Sequence, residues 1–178
     1  MNSSHPPTAS SALHRDVAGV STGPTQQFIT FTLGMEEYGV DIMMVREIKG
    51  WTEATALPKS PPHVRGVINL RGVIIPILDL RARFGMGTTE PTPTHVVIIV
   101  NTGTRTNGLL VDAVSDIVSV EPGSVRSVPE MGILAEENFL DGLVALDQRM
   151  VTLVSLDRLL GAETRDFASS ETRAPLAN

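Results

Sequence analysis

Val64-Arg65-Gly66-Val67-Ile68-Asn69-Leu70-Arg71-Gly72-Val73-Ile74-Ile75-Pro76-Ile77-Leu78-Asp79-Leu80 is the stretch on which the reading of the fold turns. Two Val/Ile-rich arms, Val64 to Leu70 and Val73 to Leu80, flank the tetrad Asn69-Leu70-Arg71-Gly72, whose glycine suits the positive φ of a tight turn. β-Branched side chains are stiff at χ1 and pack well on a pleated surface, so the arms read as a hairpin. Pro76 has no N–H for a ladder, which predicts an edge position or a bulge for the second arm. Leu80 to Phe84 suits a short helix ended by Gly85.

The same signals continue on both sides. Upstream, Leu57-Pro58-Lys59-Ser60-Pro61-Pro62 reads as a loop of fixed shape. Gln27 to Leu33 alternates as a strand with one richly apolar face, and Glu37 to Ile42 resumes extended structure. Met43 to Ile48 either continues that strand or makes a short helical turn; periodicity leaves both open. Downstream, a Pro/Thr linker over 87–94 precedes strands at Val96 to Val100 and Leu109 to Val114, joined by a turn at Asn107-Gly108 or at Asn101-Thr102-Gly103. Asp116 to Val120 gives another strand, and 121–138 reads as a long loop with room for one helical turn. Leu143 to Leu146 and Met150 to Ser155 form a hairpin around Asp147-Gln148-Arg149, and Asp157 to Leu160 opens a terminal helix. No repeat at a fixed period is visible. Nine or ten short strands with frequent turns define an all-β chain built as small barrels or a sandwich.

Composition bounds the function. Of 178 residues 42% are hydrophobic but only 4% aromatic, which fits one domain or two small subdomains sharing an aliphatic core. A net charge of −6 argues against phosphate-backbone binding, which needs a basic surface. The absence of cysteine excludes disulfides and thiolate chemistry. Residues 1–25 are rich in Ser, Pro and Thr and are expected to be a disordered tail with no signal-peptide core. Apolar runs fall short of the ~20 residues of a membrane span, so a soluble, unexported protein is expected.

Candidate chemistry is thin. His5, His14, His63 and His95 lack metal-ligand spacing, and Gly-x-Ser-x-Gly, Gly-x-Gly-x-x-Gly and Gly-x-x-x-x-Gly-Lys do not occur. Glu36-Glu37 are adjacent and point apart, which favours a solvated turn over a carboxylate pair. Asp112 and Asp116 beside an aliphatic strand suit turn capping. Arg71 differs, since it projects from a rigid hairpin tip between Leu70 and Gly72. Exposed turn cations are common, yet Arg beside apolar surface is also a frequent interface anchor. Glu47, between Arg46 and Ile48, is open to the same two readings.

Several ordered motifs together resemble the CheW family: Phe31-Thr32-Leu33-Gly34, Glu37-Tyr38-Gly39-Val40-Asp41-Ile42, Val45-Arg46-Glu47-Ile48, Gly66-Val67-Ile68-Asn69-Leu70-Arg71-Gly72, Pro76-Ile77-Leu78-Asp79-Leu80-Arg81 and Val111-Asp112-Ala113-Val114-Ser115-Asp116. The likeness implies two intertwined five-stranded SH3-like barrels with short helices and a C-terminal helix, over 26–162, between polar tails at 1–25 and 163–178. It implies an adaptor without catalysis, metal or cofactor. Its implied partners are the regulatory domain of the histidine kinase CheA and the cytoplasmic hairpin tip of chemoreceptors, in the cytoplasm at membrane-associated arrays, with no nucleic acid and no membrane insertion. Carried over by motif, Val45, Glu47, Ile48, Asn69, Leu70, Arg71, Gly72 and Val96 are the candidate partner contacts. The coupling domain is expected to stand alone, without a kinase or receiver module.

Two other readings compete. One is a CheW paralogue serving a non-chemotactic array, which sequence does not separate from the first. The other is a small-barrel module for single-stranded nucleic acid, which would need an aromatic platform and a basic groove that the composition does not supply. An enzyme ranks third.

Overall fold

The computed structural model describes residues 23–128 and 139–161; the expected tails lie almost wholly outside these residues, as does the second half of the expected 121–138 loop. Among the described residues ten strands form two five-stranded sheets. In chain order they are β1 (Gln26–Leu33), β2 (Glu36–Asp41), β3 (Val45–Gly50), β4 (Val64–Leu70), β5 (Val73–Asp79), β6 (Val96–Asn101), β7 (Thr106–Val111), β8 (Ala113–Val120), β9 (Leu140–Leu146) and β10 (Arg149–Val154). A short helix, α1 (Leu80–Arg83), follows β5, and residues 156–161 are helical after β10. Sheet A runs β8-β1-β2-β10-β9 and sheet B runs β3-β6-β7-β5-β4, so the N-terminal hairpin of sheet A is completed by the last three strands of the chain.

Each sheet closes on itself. The segment after β3 meets β4 through a bridge between Thr55 and Val67, and the segment after β8 meets β9 through Arg126 and Leu143. Closure removes the open edges that would otherwise recruit other strands. Three apolar clusters follow. Phe28, Val118, Val120, Val144, Val151 and Leu153 fill barrel A; Ile68, Ile75, Ile77, Val97, Ile99 and Leu110 fill barrel B. The largest cluster lies between them, where Ile29, Phe31 and Val40 of one sheet pack on Ile98, Val100 and Leu109 of the other. Alternation decides the allocation: neighbours such as Phe28 and Ile29, or Val97 and Ile98, point to opposite faces, one into a barrel and one into the shared core.

The two halves of the chain are versions of one unit, although the sequence shows no fixed period. β1–β5 and β6–β10 match strand for strand, and the irregularities match too. Arg46 and Ser115 are the unpaired residues of equivalent bulges, as are Arg65 and Asp141. Gly39 faces Leu153, and Gly108 faces Ile77, in the two parallel ladders. The Asp79 N–H donates to the His63 carbonyl and the Ser155 N–H to the Phe139 carbonyl, both at 2.7 Å. The connections before β4 and β9 differ in length, so equivalent residues do not recur at constant spacing.

Pro76 corrects the edge expectation, because β5 is interior, between β4 and β7. Val67, its partner on β4, exchanges both backbone hydrogen bonds with Thr55 instead (2.8 and 2.9 Å), and β7 joins β5 only from Ile77 onward. The missing donor therefore falls where no ladder bond is required, and the expected irregularity is the bulge at Arg65 on the partner strand. The open alternative at Met43 resolves as both: a 3-10 turn over Ile42–Met44, capped by the Asp41 carboxylate, leads into β3. The β6–β7 turn is the one at Asn101-Thr102-Gly103, where the Asn101 amide oxygen accepts from Gly103 N–H at 2.7 Å.

Candidate docking site

The β4–β5 turn is a two-residue loop in which Arg71 (φ 52°) and Gly72 (φ 87°) both have positive φ, as a type I′ turn requires. Arg71 is thus a non-glycine residue held in the left-handed region. The Asn69 amide oxygen steadies the loop by accepting from Gly72 N–H at 2.8 Å. From this tip the Arg71 guanidinium reaches across to β3 and pairs with the Glu47 carboxylate. The side chains are 72% and 31% exposed, so the pair lies in high dielectric and contributes at most about 1 kcal/mol to the free protein. Exposed Ile48 stands next to Glu47, and Val73 and Ile74 (60% exposed) stand beside the turn. An arginine that is mostly solvated and only weakly committed, among open aliphatics on a stiff hairpin, is suited to exchanging its partner on contact with another surface.

The structure divides the eight motif residues. Glu47, Ile48, Asn69, Arg71 and Gly72 form or flank the tip and are open to solvent or nearly so. Val45, Leu70 and Val96 are half-buried. Val45 and Val96 pack on the shared core and Leu70 on the interior of barrel B. Val96 pairs with Gly50 at the far end of β3 from Val45, so these two do not lie together. Val73 and Ile74, which the motifs do not single out, are exposed beside the turn as well. In the run Val73-Ile74-Ile75 hydrophobicity does not alternate, so only the burial of Ile75 reveals that Ile74 points outward.

Other charged positions are structural. The buried Asp79 carboxylate caps α1, accepting from Arg81 N–H (3.1 Å) and Ala82 N–H (3.3 Å), and also takes the Thr89 N–H and hydroxyl, each at 2.7 Å. Asp112 accepts from Gly34 N–H at 2.6 Å, tying the β1–β2 turn to the β7–β8 corner, with Arg81 and His95 facing its other oxygen at 4.0 and 3.6 Å. Glu37 pairs with Arg149 (2.9 Å), and Glu36 accepts from the Tyr38 hydroxyl (2.5 Å), so the adjacent glutamates do point to different partners. Burial, then the hydrogen bond and negative charge of Glu36, push the Tyr38 phenol well above its ordinary range. Among the described residues no three His, Asp or Glu side chains converge as metal ligands, and no helix is long and apolar enough to cross a membrane.

Two closed barrels thus share a core and present a hairpin tip that carries an ion pair and exposed aliphatics. The chain belongs to the CheW family: the family model described as CheW-like domain matches residues 27–164. It is 45% identical over 147 residues to "Chemotaxis protein CheW" of Rhizobium meliloti (strain 1021), covering 83% of this chain and 95% of that protein. Against "Chemotaxis protein CheW" of Klebsiella aerogenes it is 43% identical over 147 residues, covering 83% and 87%. Among solved structures it superposes on scaffolding protein TtCheW from Thermoanaerobacter tengcongensis with a TM-score of 0.70 and 32% identity, covering 76% of this chain and 92% of that one.

Proposed function

We propose that this chain is a chemotaxis scaffold that couples the cytoplasmic hairpin tip of chemoreceptors to the regulatory domain of the kinase CheA, in the cytoplasm at membrane-associated arrays, and carries out no chemistry itself. Family membership supports the scaffold role. The observation that carries the coupling role is the Arg71–Glu47 pair at a stiff turn, on strands that also expose Ile48, Val73 and Ile74. A helical receptor tip offers carboxylates and apolar ridges, which such a surface meets at low ordering cost. Glu47, Ile48, Asn69, Arg71 and Gly72 make the direct contacts in this reading, while Val45, Leu70 and Val96 shape the strands behind them. Reconstitution with a receptor signalling fragment and CheA tests it, reading receptor-controlled autophosphorylation. Arg71→Glu sets two carboxylates face to face at the tip and should weaken receptor binding by about 2–4 kcal/mol where the cation is desolvated on docking. Wild-type coupling by that variant would refute the assignment.

A further inference from the structure

We propose that the surface between the two halves of this chain also docks a second copy: two chains exchange halves, and each pair of barrels in the dimer combines β1–β5 of one chain with β6–β10 of the other.

Four ladders lie within a half, namely β1–β2, β4–β5, β6–β7 and β9–β10. The other four cross between halves, joining β1 to β8, β2 to β10, β3 to β6 and β5 to β7. Both barrels are therefore composites, and neither half closes one alone. The shared core is divided in the same way, since Ile29, Phe31 and Val40 come from the first half and Ile98, Val100 and Leu109 from the second. A half that separates bares strand edges and apolar faces whose complement is the other half, and a second copy carries that complement in the same register.

A single crossing joins the halves, between α1 and β6. Its start is tied to the first half: Met86 N–H donates to the Arg81 carbonyl at 2.8 Å, and Thr89 is held on the buried Asp79 carboxylate. Its end is tied to the residue that leads into β6, because Thr92 N–H donates to His95 Nδ1 and His95 N–H to the Thr92 carbonyl, both at 3.0 Å. Between these anchors Glu90 and Pro91 have no hydrogen bond among the described residues. Turning the chain at Glu90 and Pro91 redirects one half while every ladder and cap is rebuilt with the second copy. The exchanged and unexchanged forms then differ only at the crossing, so concentration and the reach of that segment decide between them. Exchange opens four ladders in both barrels at once, which amounts to unfolding. The dimer therefore arises on refolding and not between folded monomers.

Because the chain has no cysteine, introduced thiols report which chain pairs with which. Gln27 and Ser119 are exposed and directly opposed in the β1–β8 ladder. Opposed antiparallel residues have Cα atoms about 4.5–5.5 Å apart, within the span of a disulfide. Full chains carrying Gln27→Cys alone and Ser119→Cys alone are mixed, unfolded together in urea, refolded at high concentration and oxidised. Light scattering should find a species of twice the monomer mass, and its peptide map should hold a disulfide between position 27 of one chain and position 119 of the other. A mixture that was never unfolded should yield neither. Deleting Pro91-Thr92-Pro93 cuts the reach from Thr89 to His95 from about 20 Å to about 10 Å and should raise the dimer share. Inserting three glycines after Glu90 lengthens the crossing and should lower that share, which decides the point where the shortened chain does not fold. A refolded mixture that stays monomeric overturns the proposal, as does a dimer lacking the 27–119 link, which must join through other surfaces. A dimer share that ignores the length of the crossing overturns its role as the hinge.

Discussion

Replacing Gly66 with alanine would drive a methyl group into the strand that closes barrel B. An ideal Cβ at Gly66 would lie 2.1 Å from the Thr55 carbonyl oxygen and 2.6 Å from its carbon, and the backbone φ of +133° is one that L side chains rarely adopt. Relief requires either the Thr55 segment to retreat or Gly66 to change conformation. Both break the bridge in which Thr55 and Val67 exchange two hydrogen bonds. Backbone strain of this kind costs roughly 1–3 kcal/mol, and two lost hydrogen bonds add about 1 kcal/mol each. The expected loss is therefore about 3–5 kcal/mol, a large share of the roughly 5–15 kcal/mol that holds an ordinary domain together. Urea unfolding of the whole chain measures it, with Gly50→Ala as the control, because a Cβ at Gly50 meets nothing within 4 Å. Gly142→Ala should fall between the two: its Cβ would stand 2.9 Å from the Arg126 carbonyl and 2.5 Å from a Val125 methyl, with no positive φ to add strain. A Gly66→Ala protein within 1 kcal/mol of wild type, or no more affected than Gly50→Ala, would refute the view that this bridge closes the barrel.

Other consequences are equally open to measurement. Asp79→Ala removes the acceptor for three backbone N–H groups and the Thr89 hydroxyl at a fully buried site, and should cost about 2–4 kcal/mol in chemical denaturation, whereas Thr89→Val, which leaves the helix cap intact, should cost less. Tyr38 is the chain's single tyrosine, so absorbance near 295 nm reports it alone. Because its folded phenol titrates above the unfolded value of about 10, its contribution to stability is fully present below that pH and is lost as the pH climbs toward the folded value; ionisation should appear with unfolding rather than before it. An ordinary phenol titration in the folded state would contradict the burial and the Glu36 contact.

Sequence reasoning reaches as far as local chemistry does. The β4–β5 hairpin is legible because β-branched arms and an Arg-Gly turn agree with each other, and the β9–β10 hairpin for a similar reason. What a strand pairs with is not local. Pro76 argues for an edge until Thr55 is seen to take the backbone of Val67, a contact between segments whose pairing no periodicity predicts. The internal repeat leaves little trace in the sequence because matching positions share burial and register more than identity, as with Arg46 and Ser115 or Tyr38 and Asn107. The candidate site is half legible. Motif likeness names the tip and its ion-pair partner together with Val45, Leu70 and Val96, whose side chains face the cores, and does not name exposed Ile74. Which face a residue takes depends on register, and in a run of three aliphatics register leaves no trace.

The interleaved strand order has a consequence for birth on the ribosome. β1 and β2 emerge first, yet the strands that complete their barrel end at Val154, with all of barrel B translated in between. At roughly 5–20 residues per second the nascent hairpin waits on the order of ten seconds, with Phe28 and Phe31 uncovered and both its edges unpaired. Barrel B has all its strands once β7 has left the exit tunnel, so it gives that hairpin its earliest native surface to rest on. The growing polypeptide is thus most in need of a holding chaperone early in translation.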